Sequence, residues 1–243
     1  MRHAESNQVM TTLFVATGQG VFKVAGGNGD AAVQPLGLGD KGGVRWILAD
    51  SDNAGRIWVA TERTGVLRTD DNGATWHEKN EGLVYKHTLS LARHPETGTL
   101  YVGTEPACIF RSDDLGDTWT ELQAVRKLKS RKDWTFPGPP HVAHVRGIGL
   151  DADNPDVIFG AVEEGWLIRS ADGGETWENI IEGTEFDSHT VTILPGDSDV
   201  IISASGTGLY RSADDGRNFA KCDTGIEHPY LINVAVHADR PNV

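Results

Sequence analysis

The stretch SADGGETWE, residues 170–178, has three near-copies in the chain: TDDNGATWH at 69–77, SDDLGDTWT at 112–120 and SADDGRNFA at 212–220. In each, an Asp is followed two residues later by Gly and five residues later by a large aromatic. The sets are Asp71, Gly73 and Trp76; Asp114, Gly116 and Trp119; Asp172, Gly174 and Trp177; and Asp214, Gly216 and Phe219. Asp accepts hydrogen bonds from nearby backbone N–H groups, and Gly reaches positive φ without steric cost. The aromatic supplies a large apolar surface for burial. All of these roles are structural, so the repeated unit reads as a turn that ends in a packing anchor.

The copies are 43, 58 and 42 residues apart, a period near 42–43 with one insertion of about 15. More than the turn repeats. Ahead of each copy lie three short apolar segments, here A, B and C. VRWILAD, RIWVAT and GVLRT precede the first copy, and HTVTILP, VIISAS and GLYRS the last. They are rich in Val, Ile, Leu and aromatics and are bounded by Gly, Asp, Asn and Pro, which predicts strands. No segment sustains a helical period. With strand D after the turn, each unit holds four strands per 40–45 residues, the spacing of a β-propeller blade.

The predicted fold is therefore all-β: a propeller of four-stranded antiparallel blades with about five blade-equivalents. Residues 1–12 are expected to be an extended or disordered lead-in, and 13–243 one propeller domain. Its parts are N-terminal strands B, C and D (13–37), blades at about 44–79, 87–122, 145–181 and 189–223, and a final strand A over 230–237. That last strand, YLINVAV, either joins LFVAT (13–17) to close a five-bladed ring, or the chain is a fragment of a larger propeller. The likeness of RPNV (240–243) to NPDV (154–157) favours the fragment.

Composition narrows the function. A net charge of −13 argues against a general nucleic-acid or anionic-membrane role. No apolar run approaches membrane-spanning length, and MRHAESNQVM lacks the apolar centre of a secretory signal, so a cytoplasmic location is expected. Two cysteines without CxxC spacing predict neither a disulfide framework nor a zinc site. No metal and no cofactor are expected.

The turns resemble the Asp-box, or bacterial neuraminidase repeat, written S-x-D-x-G-x-T-W. The fourth copy departs from it with Asn218 and Phe219. The resemblance covers nearly the whole chain. It is to a family that includes sialidases, other glycosidases, sortilin-type receptors and a photosystem assembly factor, many of them bacterial. It implies that the boxes lie on the rim away from the ligand face.

In that architecture strand A lines the channel, and ligands meet the face holding the D-to-A and B-to-C loops. Aligning the A strands places Arg45, His87, Arg146 and His189 at one level. Tyr85, His144 and Asp187 lie two residues earlier on the same side. The ends of strand B supply Glu62, Glu105 and Glu163, with Ser205 in the fourth blade. Hairpin centres near 53, 96, 154 and 197 fall on good turns, so these acids should face the Arg and His residues. Two readings stay open: cross-strand ion pairs worth ~0.2–1 kcal/mol each, or a polar cup for a small molecule, glycan or protein partner. The insertion at 123–143 lies on the same face and is basic and Pro-rich. Trp134 within it could stack on a ligand, or simply pack onto a blade.

The resemblance also implies an alternative, a sialidase-like glycoside hydrolase. That chemistry needs three arginines for a carboxylate, an acid/base and a Glu-activated Tyr. Arg45, Arg146, Asp187, Tyr85 and Tyr230 are the available parts. A third arginine at the strand A level is missing, as is an Arg-Ile-Pro segment. A lyase or metal site using His87, His144, His189 and Glu105 has no close-spaced motif behind it. Binding without assured catalysis is the leading expectation.

Overall fold

Strand B of each unit is apolar at consecutive positions because both of its faces are covered. The computed structural model describes residues 11–27, 30–38 and 41–237. In it, Trp58 and Ala60 face one core while Ile57 and Val59 face another. Ile158 and Val162 likewise pack on the preceding blade, and Phe159 and Ala161 on the following one. Among the described residues, four apolar cores thus lie between five sheets.

The first sheet has three strands, β1 (Thr11–Thr17), β2 (Gly20–Gly27) and β3 (Asp30–Pro35). Four blades of four antiparallel strands follow. The first blade is β4 (Val44–Ala49), β5 (Ile57–Thr61), β6 (Val66–Thr69) and β7 (His77–Glu78). The second is β8 (His87–Arg93), β9 (Leu100–Glu105), β10 (Cys108–Ser112) and β11 (Thr120–Glu121). The third is β12 (His144–Leu150), β13 (Ile158–Glu163), β14 (Trp166–Ser170) and β15 (Glu178–Ile180). The fourth is β16 (Ser188–Leu194), β17 (Asp197–Ser205), β18 (Gly208–Ser212) and β19 (Phe219–Lys221). The A strands β4, β8, β12 and β16 are neighbours in turn. The fold is all-β, and no helix is long and apolar enough to cross a membrane among the described residues.

Two expectations change. The strand predicted over 230–237 does not form. Its apolar pattern is right, but its Leu231 backbone bonds Ser205 O through N–H (2.9 Å) and the His189 ring through C=O (2.6 Å) rather than a strand ladder. Among the described residues β1 pairs with β2 alone, so YLINVAV does not pair with LFVAT. The insertion is also more ordered than a loop, with two 3-10 turns at Gln123–Lys127 and Lys129–Asp133. The expectations for residues 1–10 and 240–243 lie outside the described residues.

The repeated turns behave as hydrogen-bonded knots. Ser170 Oγ donates to Asp172 Oδ1 (2.8 Å) and accepts from Gly174 N–H (2.9 Å). Thr176 donates its N–H to Asp172 Oδ1 (2.9 Å) and its hydroxyl to Oδ2 (2.6 Å). The same four bonds recur in the other turns. In the fourth, Asn218 Nδ2 replaces the Thr hydroxyl as donor to Asp214 Oδ2 (2.6 Å), which explains that departure. Gly174 has φ +97°, and a Cβ there would lie 2.7 Å from Leu122. The turns also tie blades together. Trp76 Nε1 donates to Leu36 O (2.7 Å) and Trp119 Nε1 to Lys79 O (2.9 Å), each just past the last strand of the preceding sheet. Trp177 instead bonds within its own turn, to Gly174 O (3.1 Å), where the insertion follows β11.

These donors hold the turn aspartates below the usual carboxylate range. Asp71 is brought to about 2, chiefly by Thr75, and Asp214 to about 2 by Asn218. A depressed carboxyl stabilises the fold above its unfolded value and loses that contribution as pH falls through the folded one. The turns should therefore weaken together between about pH 4 and pH 2. Asp172→Ala should lower Tm by about 2–4 °C at neutral pH. An unchanged melting curve would show that the turn contributes nothing to stability.

Candidate functional site

Every A strand carries a one-residue bulge near its start. The register slips between Val44 and Trp46, Thr88 and Ser90, Val145 and Gly147, and Ser188 and Thr190. The extra residues are Arg45, Leu89, Arg146 and His189. A bulge re-aims a side chain and raises local twist, and here it sets the wall of the channel mouth.

The bulges revise the predicted levels. Arg45, Arg146 and His189 do share one level, but His87 lies two residues earlier, with His144 and Asp187. Across from this second level stand Glu62, Glu105 and Glu163. His87 pairs with Glu105 and His144 with Glu163 in the ladder, while Glu62 donates its N–H to Gly43 O (3.0 Å). In the fourth blade the partner of Asp187 is Gly206 (N–H to O, 3.0 Å), and Ser205 sits one step further in, opposite Ser188.

From His87 to Asp187 these side chains form a continuous network, beside a separate Arg45–Glu62 pair. Arg45 pairs with Glu62 (2.7 Å). His87 Nδ1 lies 3.2 Å from Glu105 Oε1, and His144 Nδ1 lies 3.2 Å from Glu105 Oε2 without hydrogen-bond geometry. His144 Nε2 is 2.8 Å from Glu163 Oε2, which also accepts from Arg146. His189 Nε2 is 3.0 Å from Asp187 Oδ1 and 3.8 Å from Glu163 Oε1. Burial alone would raise the Glu163 carboxyl, but hydrogen bonds from His144 and Arg146 outweigh it and hold the group at about 2.

Above the network lies a cup of about 430 Å³. Arg45, His87, Glu105, His144, Arg146 and Glu163 line it, together with Trp46, Leu89, Thr190, Ile232 and Asn233. The insertion contributes Phe136, Pro139 and Pro140, and Phe136 packs on His144 at 4.9 Å between ring centres. Three buried polar atoms of cup residues, His87 Nε2, His144 Nδ1 and Thr190 Oγ1, have no hydrogen-bond partner among the described residues.

Two predicted ligand contacts are placed elsewhere. Trp134 lies in the core under the insertion, with the Arg131 guanidinium 5.2 Å from its ring centre and its face against Gly165. Tyr85 packs edge-on against Phe110 and accepts a hydrogen bond from Arg126 (3.0 Å). Neither lines the cup. Glu62, Asp187 and His189 do not line it either, and His189 is fully buried. Phe136 was missed although the PGPP run beside it signals a chain path that cannot pair as a strand.

No family model and no curated protein matches the chain. Solved structures do. An ancestral GH74 enzyme superimposes with a TM-score of 0.60 at 19% identity, over 78% of this chain and 25% of that one. YCF48 bound to D1 peptide gives 0.56 at 17%, over 86% of this chain and 64% of the other. The extracellular domain of a hybrid two-component system from B. thetaiotaomicron gives 0.62 at 18%, over 93% and 29%. The chain thus spans a quarter to about two thirds of the length of these relatives, and what it shares with them is the β-propeller fold.

Proposed function

We propose that this chain is an Asp-box propeller module whose channel-mouth cup binds a small hydroxylated, sugar-like ligand. The observation that carries the reading is the cup itself, about 430 Å³ lined by the polar side chains of His87, His144, Arg146 and Thr190. A few polar groups in a largely apolar cavity are what orients a hydroxylated ligand. Phe136 and the two prolines add an apolar wall of the kind that covers a sugar face. A strongly anionic ligand fits less well, because Arg45 and Arg146 are already paired with Glu62 and Glu163.

Hydrolysis is the second reading, supported by the GH74 likeness at the level of fold. It would need another carboxyl than Glu163 as its acid, since that group is ionised near neutral pH.

Calorimetry against neutral and acidic mono- and oligosaccharides tests the proposal. One-site binding is expected, weakened about tenfold or more by Arg146→Ala and by His87→Ala, a change of ~1.4 kcal/mol, and retained by Asp172→Ala. A folded protein that binds no sugar, or cup variants that bind like wild type, would refute it. Release of 4-methylumbelliferone from a glycoside, lost in Arg146→Ala, would favour the enzyme.

A further inference from the structure

His189 is the bulged residue of β16, and its ring is fully buried. Nδ1 lies 2.6 Å from Leu231 O, a carbonyl that can only accept, so Nδ1 carries a hydrogen. Nε2 faces two carboxylates, Asp187 Oδ1 at 3.0 Å and Glu163 Oε1 at 3.8 Å. The other oxygen of Glu163 is taken by His144 and Arg146, whereas Oε1 accepts no hydrogen bond among the described residues. A neutral ring would therefore aim a lone pair at two acidic oxygens. The arrangement calls for a positive centre between them, either a second ring proton or a bound cation.

We propose that His189 Nε2, Asp187 and Glu163 bind a divalent first-row transition ion of the Zn²⁺ or Mn²⁺ type. Their ligand atoms all lie within 4.8 Å of one another. Ligation would require the two carboxylates to turn toward the ~2.0–2.2 Å metal distances that imidazole and carboxylate ligands adopt. The Nδ1–H bond to Leu231 O is the outer contact that metal-bound histidines use to fix tautomer and ring orientation. An imidazole donor selects for this class over Mg²⁺ or Ca²⁺, which prefer oxygen alone. Three ligands leave a position open for water or a ligand oxygen. Glu163 lines the cup, and Asp187 is a quarter exposed, which gives the ion a way in. Arg146 competes for Glu163, so micromolar affinity is expected rather than the tighter binding of a closed structural site. The donors come from two strands and the residue before one of them, which explains why no ligand motif shows in the sequence.

The test uses the whole chain, stripped with chelator and titrated with ZnCl₂ and MnCl₂ alone. One equivalent should bind, and Asp187→Asn should weaken it about tenfold or more while keeping the wild-type melting curve. His189→Ala risks disturbing the buried bulge, so Asp187→Asn carries the comparison. Mn²⁺ broadening of NMR signals should centre on His189 and Leu231, which separates this site from exposed histidines such as His77. No stoichiometric binding, binding undiminished in Asp187→Asn, or broadening centred elsewhere would overturn the proposal and leave the second ring proton as the positive centre. Because the metal is the only probe, this result is independent of whether the cup takes a sugar.

Discussion

Glu163→Ala should destabilise the fold by about 3 kcal/mol, the lower end of the range for breaking a buried ion pair. The carboxylate is shared by His144, which is almost fully buried, and Arg146, which is 28% exposed and can recover some hydration. Removing it leaves both donors without their acceptor in the wall of the cup. Glu163→Gln keeps the volume and one acceptor and should cost less. The pH dependence distinguishes charge from packing. The folded-state carboxyl lies at about 2, below its ordinary value of 4.5. Its contribution is therefore complete above about pH 4.5 and lost as pH falls through about 2. The stability gap between wild type and Glu163→Gln, measured by urea unfolding, should narrow across that window. A gap of constant size from pH 7 to pH 2 would assign the loss to packing instead.

Trp58→Ala should cost about 3–5 kcal/mol, the range for emptying a large aromatic site. Trp58 is fully buried in β5, in the core between the first and second blades. Its Nε1 donates to Leu115 O (2.9 Å) in the turn of the second blade. Trp58→Phe keeps most of the packing and loses that bond, and should cost about 1 kcal/mol, since Arg68 still donates to Leu115 O (3.0 Å). Equal losses in the two variants would show that the hydrogen bond, rather than the buried ring, holds the blades together.

The turn at 170–178 and its copies were legible because the bonds of the Asp close within seven residues, from Ser170 to Thr176 and their equivalents. The four-strand unit was legible for a related reason. Propeller contacts are made within one blade or to the next, so each repeat carries its own pattern of burial. Strand B showed this most plainly, with apolar residues on both faces.

The cup was only half legible. That acids at the end of strand B face bases at the start of strand A followed from hairpin geometry. Their levels did not: HTLSLAR (87–93) aligns by its His-Thr start with HTVTILP (189–195), whereas the shared bulges make Leu89 the equivalent of Arg45, Arg146 and His189, which puts His87 two residues earlier, beside His144. Which aromatic of the insertion reaches the cup was also a tertiary matter. Trp134 packs against the core beside Gly165 and Arg131, and Phe136 lines the cup. The segment at 230–237 has the pattern of a strand but joins no sheet; Leu231 instead bonds Ser205 and orients His189. Pattern and turn chemistry are local properties of the chain; register, ring orientation and the pairing of an edge depend on residues tens of positions away.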